Sequence, residues 1–159
     1  MKPEFTFRYA TREDIGLVLQ YIKELAEYEK MSDEVIADEK TLEHWIFDKQ
    51  LAEVFFALED GKEVGFALYF HNFSTFVGRA GIYLEDIYVK PEYRGKGYGK
   101  AMLKKLASIA VERGCRRLEW MCLDWNKPSI EFYKSLGAIP MSEWTLYRLT
   151  GDALTSLAE

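Results

Sequence analysis

The sequence predicts a mixed α/β fold. Strand-like alternation and helix-like periodicity take turns along the chain. Asp60-Gly61 marks a β-hairpin, because both residues tolerate positive φ. A glycine-rich stretch, EYRGKGYGK from Glu92 to Lys100, stands where an apolar strand-like run meets a helix-like one. At 159 residues the chain suits a single domain, 1–159, with one core.

The elements follow in order. Phe5, Phe7 and Tyr9 alternate with polar residues and read as a first strand. Thr11 can cap a helix whose first turn carries Asp14 near its positive end. Ile15, Val18, Leu19, Ile22, Leu25 and Ala26 recur at helical spacing, so this helix runs to about Tyr28. A second helix spans about Asp38 to Asp48. Val54–Leu58 and Glu63–Phe70 form the hairpin around Asp60-Gly61, which makes part of the sheet antiparallel. Ala80–Val89 is a long strand stopped by Pro91. The glycine stretch leads into a helix ending near Glu112, with Gly114 as its C-terminal cap. Arg117–Leu123 reads as a strand. Pro128 suits the first turn of a helix to Leu136, capped by Gly137. Glu143–Leu149 reads as a closing strand and Asp152–Ala158 as a short terminal helix.

Composition excludes several classes. Ten Phe, ten Tyr and four Trp in a chain that is 48% hydrophobic supply a packed interior and argue against disorder. No apolar stretch is long enough to cross a bilayer, and Met1-Lys2-Pro3-Glu4 does not open a signal peptide, so a cytoplasmic protein without a membrane partner is expected. Cys115 and Cys122 fit no zinc or redox spacing and read as small buried hydrophobes. His44 and His71 lie far apart with no cysteines near, so no metal site is expected. The net charge of −5 argues against a nucleic-acid partner and is compatible with a small cationic substrate.

Arg94-Gly95-Lys96-Gly97-Tyr98-Gly99-Lys100 is locally basic in an acidic chain. Glycines let backbone N–H groups turn toward a ligand, and the first N–H groups of the following helix lack intrahelical partners and carry partial positive charge. Together they suit a phosphate group. A Walker loop would need glycine at Arg94 and a hydroxyl at Ala101, so that motif fails. The dinucleotide pattern GxGxxG fails at Lys100. The pattern Arg/Gln-x-x-Gly-x-Gly/Ala fits at Arg94, Gly97 and Gly99.

That pattern, together with YLEDIYVKPEYRGKGYG before and through it, WNKPSIEFYKSLGA downstream, and FRYATREDI at the start, resembles the GNAT acetyltransferases. Within that family, IKELAEYEKM, YLEDIYV and WNKPSIEFYKSLGA are most similar to the spermidine/spermine (diamine) acetyltransferases. The likeness covers nearly the whole chain. It implies the GNAT fold, a mixed and mostly antiparallel central sheet flanked by helices, with acetyl transfer from acetyl-CoA to a primary amine of a small polycationic substrate, a polyamine or diamine, and a homodimer as assembly. Two departures stand out: the Val54–Phe70 hairpin is short, and Thr145 follows Trp144 where the animal polyamine enzymes carry Arg. A branch acting on thialysine and lysine-like amines shares the same motifs.

The resemblance assigns roles to residues. Gly95 to Lys100, that is Gly95, Lys96, Gly97, Tyr98, Gly99 and Lys100, together with Arg94, would hold the pyrophosphate. Ile87, Tyr88 and Val89 would offer backbone groups to the pantetheine arm as an added strand would. Asn126 caps its helix and would touch the same arm, as would Ser129. Tyr133 would protonate the departing thiolate. Tyr28, Glu29, Glu85, Glu119, Trp120, Met121 and Glu143 would line the amine site. An alkylamine with a pKa near 10.4 is almost wholly protonated at neutral pH, so a base must remove its proton, directly or through water. Glu85 is the candidate base, and strict alternation would turn its neighbour Asp86 to the opposite face of the sheet.

Three other readings remain open at this point: acetylation of protein amines, a non-catalytic CoA-binding module that would need neither Glu85 nor Tyr133, and an oligonucleotide binder with steeply salt-dependent affinity.

Overall fold

A computed structural model describes all residues, Met1–Glu159. Its contacts divide the chain into two units, Met1–Met121 and Cys122–Glu159.

The first unit is a five-stranded sheet in the order β1 (Phe5–Tyr9), β2 (Glu53–Glu59), β3 (Lys62–Ser74), β4 (Arg79–Val89) and β5 (Leu118–Trp120). The first three pairings are antiparallel and β4–β5 is parallel, so the sheet is mixed and mostly antiparallel. The Asp60-Gly61 turn joins β2 to β3 with φ of 50° and 79°, the left-handed geometry a two-residue hairpin needs.

Helix α1 (Ile15–Tyr28) packs on one face of the sheet. Its Ile15, Val18 and Tyr21 share a core with Val54, Phe56 and Leu58 of β2, Phe66 and Leu68 of β3, and Tyr88 of β4. At the α1 entry Thr11 and Asp14 form a capping box, as the sequence predicts: the Asp14 carboxylate accepts from the Thr11 N–H at 2.8 Å and the Thr11 hydroxyl at 3.3 Å. The same carboxylate takes a two-pronged bond from Arg8, which also reaches Glu63 at 2.6 Å, tying β1, the helix entry and β3 together. Helix α2 (Glu39–Glu43) is capped by Asp38, which accepts from the Thr41 N–H at 2.7 Å. It continues through one wider turn, His44–Asp48, closed by the Lys49 N–H on the His44 carbonyl. Helix α3 (Tyr98–Glu112) buries Met102, Leu103, Leu106 and Ile109 and packs against β4 and β5.

The second unit contains α4 (Lys127–Ser135) and α5 (Gly151–Leu157). The Asn126 side chain caps α4 by accepting from the Ser129 N–H, and Pro128 occupies the first turn, as the sequence predicts.

Several expectations need correction. The strand expected over Arg117–Leu123 shrinks to Leu118–Trp120. The closing strand expected over Glu143–Leu149 is absent. Those residues are exposed and carry no regular structure, because alternation marks a strand only where a neighbouring strand completes its ladder. The β3 strand runs to Ser74, beyond Phe70, because β4 is long enough to pair with it. Cys115 is buried as expected, whereas Cys122 is only half-buried. The β3–β4 ladder slips by one residue at Glu85, so Asp86 lies on the face opposite that of Leu84, which an unbroken alternation from Leu84 does not provide.

Candidate active site

The β4–α3 connection begins with a single 3₁₀ turn at Pro91–Tyr93. Gly95 and Gly97 follow with φ of 79° and 80°, a left-handed geometry in which a side chain costs about 1–2 kcal/mol. A side-chain carbon added at Gly95, Gly97 or Gly99 would meet nothing within 4 Å, so the space before this backbone is open. The first-turn N–H groups of α3 lack intrahelical acceptors and add the helix's positive end. Lys100 is exposed in that first turn. The turn therefore has the form of a diphosphate cradle.

Arg94 braces it. Its Nε donates to the Val89 carbonyl at 2.8 Å, and its guanidinium stacks 5.0 Å from the Tyr28 ring centroid and 5.6 Å from that of Tyr88. This brings the end of α1 beside the end of β4. Lys96 is engaged elsewhere: its Nζ donates to Glu59 Oε1 at 2.7 Å, and the Tyr98 hydroxyl donates to the same oxygen at 2.6 Å. Tyr98 also stacks on Phe5 at 4.1 Å between centroids. Lys96 and Tyr98 thus fasten the turn to the sheet, and Glu59 is a residue the sequence reading missed. A lone Glu beside a hairpin turn carries no signal of such a partnership.

Upstream, β4 pairs with β3 as far as Val89 but with β5 only through Leu84, opposite Trp120. The β5-facing edge of Glu85 to Val89 therefore has no strand partner, and Ile87, Tyr88 and Val89 can offer backbone groups to an extended ligand.

The ladder also breaks register at this point. Leu68 faces Asp86, and the next β3 residue, Tyr69, faces Leu84, leaving Glu85 without a partner. Such a bulge shifts every later side chain by one position. Leu84 shares the face of Tyr69, whereas Asp86 joins Leu68 and Tyr88 on the face that α1 covers. Glu85 is exposed at the bulge and Asp86 is half-buried. Burial pushes the Asp86 carboxyl up to about 7, with the negative charges of Glu85 and Glu29 adding to the effect. Glu29, just past the end of α1, is raised by burial and by Glu85. Each of these carboxylates is near enough to influence another, and no ion pair neutralises any of them.

Glu119 and Trp120 lie on β5 beside Tyr83 and Leu84, and the Asn72 amide donates to Glu119 at 3.1 Å. Met121 follows, exposed. In the second unit, α4 carries Ser129 and Tyr133, with Asn126 at its cap; Asn126 is buried and Tyr133 is half-buried, its ring beside Phe132. Glu143 lies in the exposed irregular stretch.

A glycine cradle at a helix start and an open strand edge leading to it suit a ligand with a diphosphate and an extended arm, and Glu85 and Asp86 lie at the bulge of that same strand. The comparisons agree. The chain belongs to the acetyltransferase (GNAT) family, whose model matches residues 19–138. It is 43% identical to the thialysine N-epsilon-acetyltransferase of Bos taurus over 95% of each chain. It is 33% identical to the human spermidine/spermine N(1)-acetyltransferase-like protein 1, over 97% of this chain but 24% of that longer protein. Among solved structures, an integron cassette protein from the mobile metagenome of V. cholerae superposes with a TM-score of 0.80 at 31% identity, covering 98% of each chain. The protein is an acetyltransferase of the GNAT fold, and acetyl-CoA is the family's acetyl donor. The open glycine cradle and the unpaired β4 edge fit that cofactor's diphosphate and its amide-bearing arm.

Proposed function

We propose that the protein transfers acetyl to the terminal primary amine of a small lysine-like cation, with thialysine as the type substrate. The observation that carries this reading is the pair Glu85 and Asp86 on the open-edged segment of β4, with Glu29 at the end of α1 near enough to act on Asp86 and none of the three in an ion pair. Unbalanced carboxylates in a half-buried site favour a ligand that brings positive charge. The 43% identity to a thialysine acetyltransferase over nearly the full chain supports the same substrate class. Short polyamines are the second reading, supported by the spermidine/spermine-like relative.

Bound acetyl-CoA would supply the activated thioester. Arg94, Lys100 and the backbone N–H groups of the Gly95–Lys100 turn would hold its diphosphate, with the Lys96 side chain tied to Glu59 instead, and Ile87, Tyr88 and Val89 would orient its arm. The carboxylates would bind the ammonium and take its proton. Tyr133 would donate its phenolic proton to the departing sulfur, a role its protonation at neutral pH allows. Residues 1–159 would act as one acetyltransferase domain, and the likeness to diamine acetyltransferases supports a homodimer, which light scattering of the purified protein checks.

The test is a steady-state acetylation screen with thialysine, lysine, short diamines and spermidine. Thialysine is expected to give the highest kcat/KM. A preference for spermidine over thialysine would favour the second reading, and no CoA release with any amine would end both.

A further inference from the structure

We infer that Asp86, rather than Glu85, accepts the proton from the substrate ammonium. The inference rests on the amine-acetylation reading above and assigns its base.

The bulge provides the geometric reason. With unbroken alternation from Leu84, Glu85 would share the α1 face and Asp86 would turn to the other side of the sheet. The register break between Leu68 and Tyr69 places Asp86 in line with Leu68 and Tyr88 instead, beneath the end of α1. Asp86 still sits on the strand segment, Glu85 to Val89, whose other edge is open for the cofactor arm. Glu85, by contrast, is exposed to solvent at the bulge.

The surroundings suit a base. The neighbours that face Asp86 are Leu68 from β3, which is apolar, Glu85 from its own strand and Glu29 from the end of α1. No cation among them holds the carboxylate charged, and burial with two like charges raises its proton affinity toward the neutral range. A carboxylate so placed is a stronger base than an exposed one and still ionised in good part near neutrality. In the step itself one N–H bond of the ammonium breaks and an O–H bond forms on Asp86, directly or through one water. The electron pair stays on nitrogen, which becomes the nucleophile. Glu85 and Glu29 remain as negative charges that hold the cation.

The experiment has two parts. The first needs no turnover: carbon-detected NMR titration of the aspartate carboxyls in the cofactor-free protein, with Asp86 assigned by its loss in Asp86→Asn. The signal is expected to titrate near neutrality; a midpoint near 4 would overturn the inference even in an active enzyme. The second compares pH–rate profiles with thialysine. Asp86→Asn is expected to lower kcat by about a hundredfold or more while amine KM moves little, and to abolish the acid limb of the profile. Glu85→Gln is expected to raise amine KM and keep that limb. The reverse pattern would overturn the assignment. A parent enzyme that binds CoA but acetylates no amine would overturn the functional reading and the assignment with it, whatever the NMR midpoint.

Discussion

Asp86 stands opposite Leu68 on the β3–β4 ladder, while Leu84, two residues earlier, stands opposite Tyr69. One unpaired residue between them, Glu85, changes which face of the sheet carries the second acid. A consequence for stability follows. The Asp86 carboxyl rises from 3.8 to about 7 in the folded chain, so the fold retains a proton that the unfolded chain releases. Its contribution to stability is greatest at low pH and is lost as pH rises through about 7. Asp86→Asn removes a half-buried charge, so the variant should be more stable than the parent above neutrality, by on the order of 2 kcal/mol near pH 8. The difference should vanish toward about pH 4, where the aspartate is neutral. Urea unfolding at both pH values checks it. A variant that is both more stable and slower is the pattern expected of a strained functional residue.

Gly97 adopts φ of 80° at the start of α3, with open space before it. Gly97→Val adds backbone strain of about 1–2 kcal/mol and puts a branched side chain where the diphosphate would approach. CoA affinity measured by calorimetry should fall at least tenfold, more than the modest loss in melting temperature would explain.

Lys96 donates to Glu59 rather than standing free at the turn. Lys96→Ala should therefore change CoA affinity by less than about threefold and lower the melting temperature instead, since an exposed pair contributes modestly at best. The Glu59 carboxyl is held below its ordinary value, first by Lys96 and then by Tyr98. The stability it contributes is present above the ordinary glutamate range and lost as pH falls through the lowered value. Thermal melts from neutral to acid pH should show a weaker acid loss in Lys96→Ala than in the parent.

Asp14 joins the α1 entry to Arg8, and that bond is the main reason its carboxyl drops to about 2. The sign is opposite to that of Asp86: the stabilisation is complete above about pH 4 and disappears as pH falls through about 2. Asp14→Asn should cost about 1 kcal/mol at neutral pH, after allowance for solvent screening, and should flatten the acid limb of the stability curve. Denaturant titration of parent and variant reads both effects.

Tyr133 is proposed to donate the proton to the departing sulfur. Tyr133→Phe keeps the ring and its packing beside Phe132 but removes the hydroxyl. Turnover should fall by about a hundredfold, with CoA affinity by calorimetry nearly unchanged. Unchanged turnover would remove Tyr133 from the chemistry.

Much of the site was legible in the sequence because its pieces are local. Arg94 to Lys100 could be read as an anion cradle from glycine geometry and a helix start alone. The α4 cap at Asn126 and the amphipathic face of α1 were equally plain, since each is specified by residues within a few positions of one another. The partnership of Lys96 with Glu59 was not legible, because 37 positions separate the two and only the return of β2 past the turn brings them together. The closing strand expected at Glu143–Leu149 failed for a related reason: alternation describes a ribbon's two faces but says nothing of whether a neighbour lies beside it.

By itself, then, the sequence determined what short-range physics can determine: where helices start, where backbone must turn left-handed, and which stretch suits a diphosphate. Which acid sits under α1 depends on how β3 and β4 pair in the folded sheet. A bulge is a mismatch between two strands, one residue against none, and it exists in neither strand alone. That single slip put Asp86 on the face that α1 covers, where burial and the charges of Glu85 and Glu29 favour its protonated form, because side-chain facing in a sheet follows the pairing and not the order of residues.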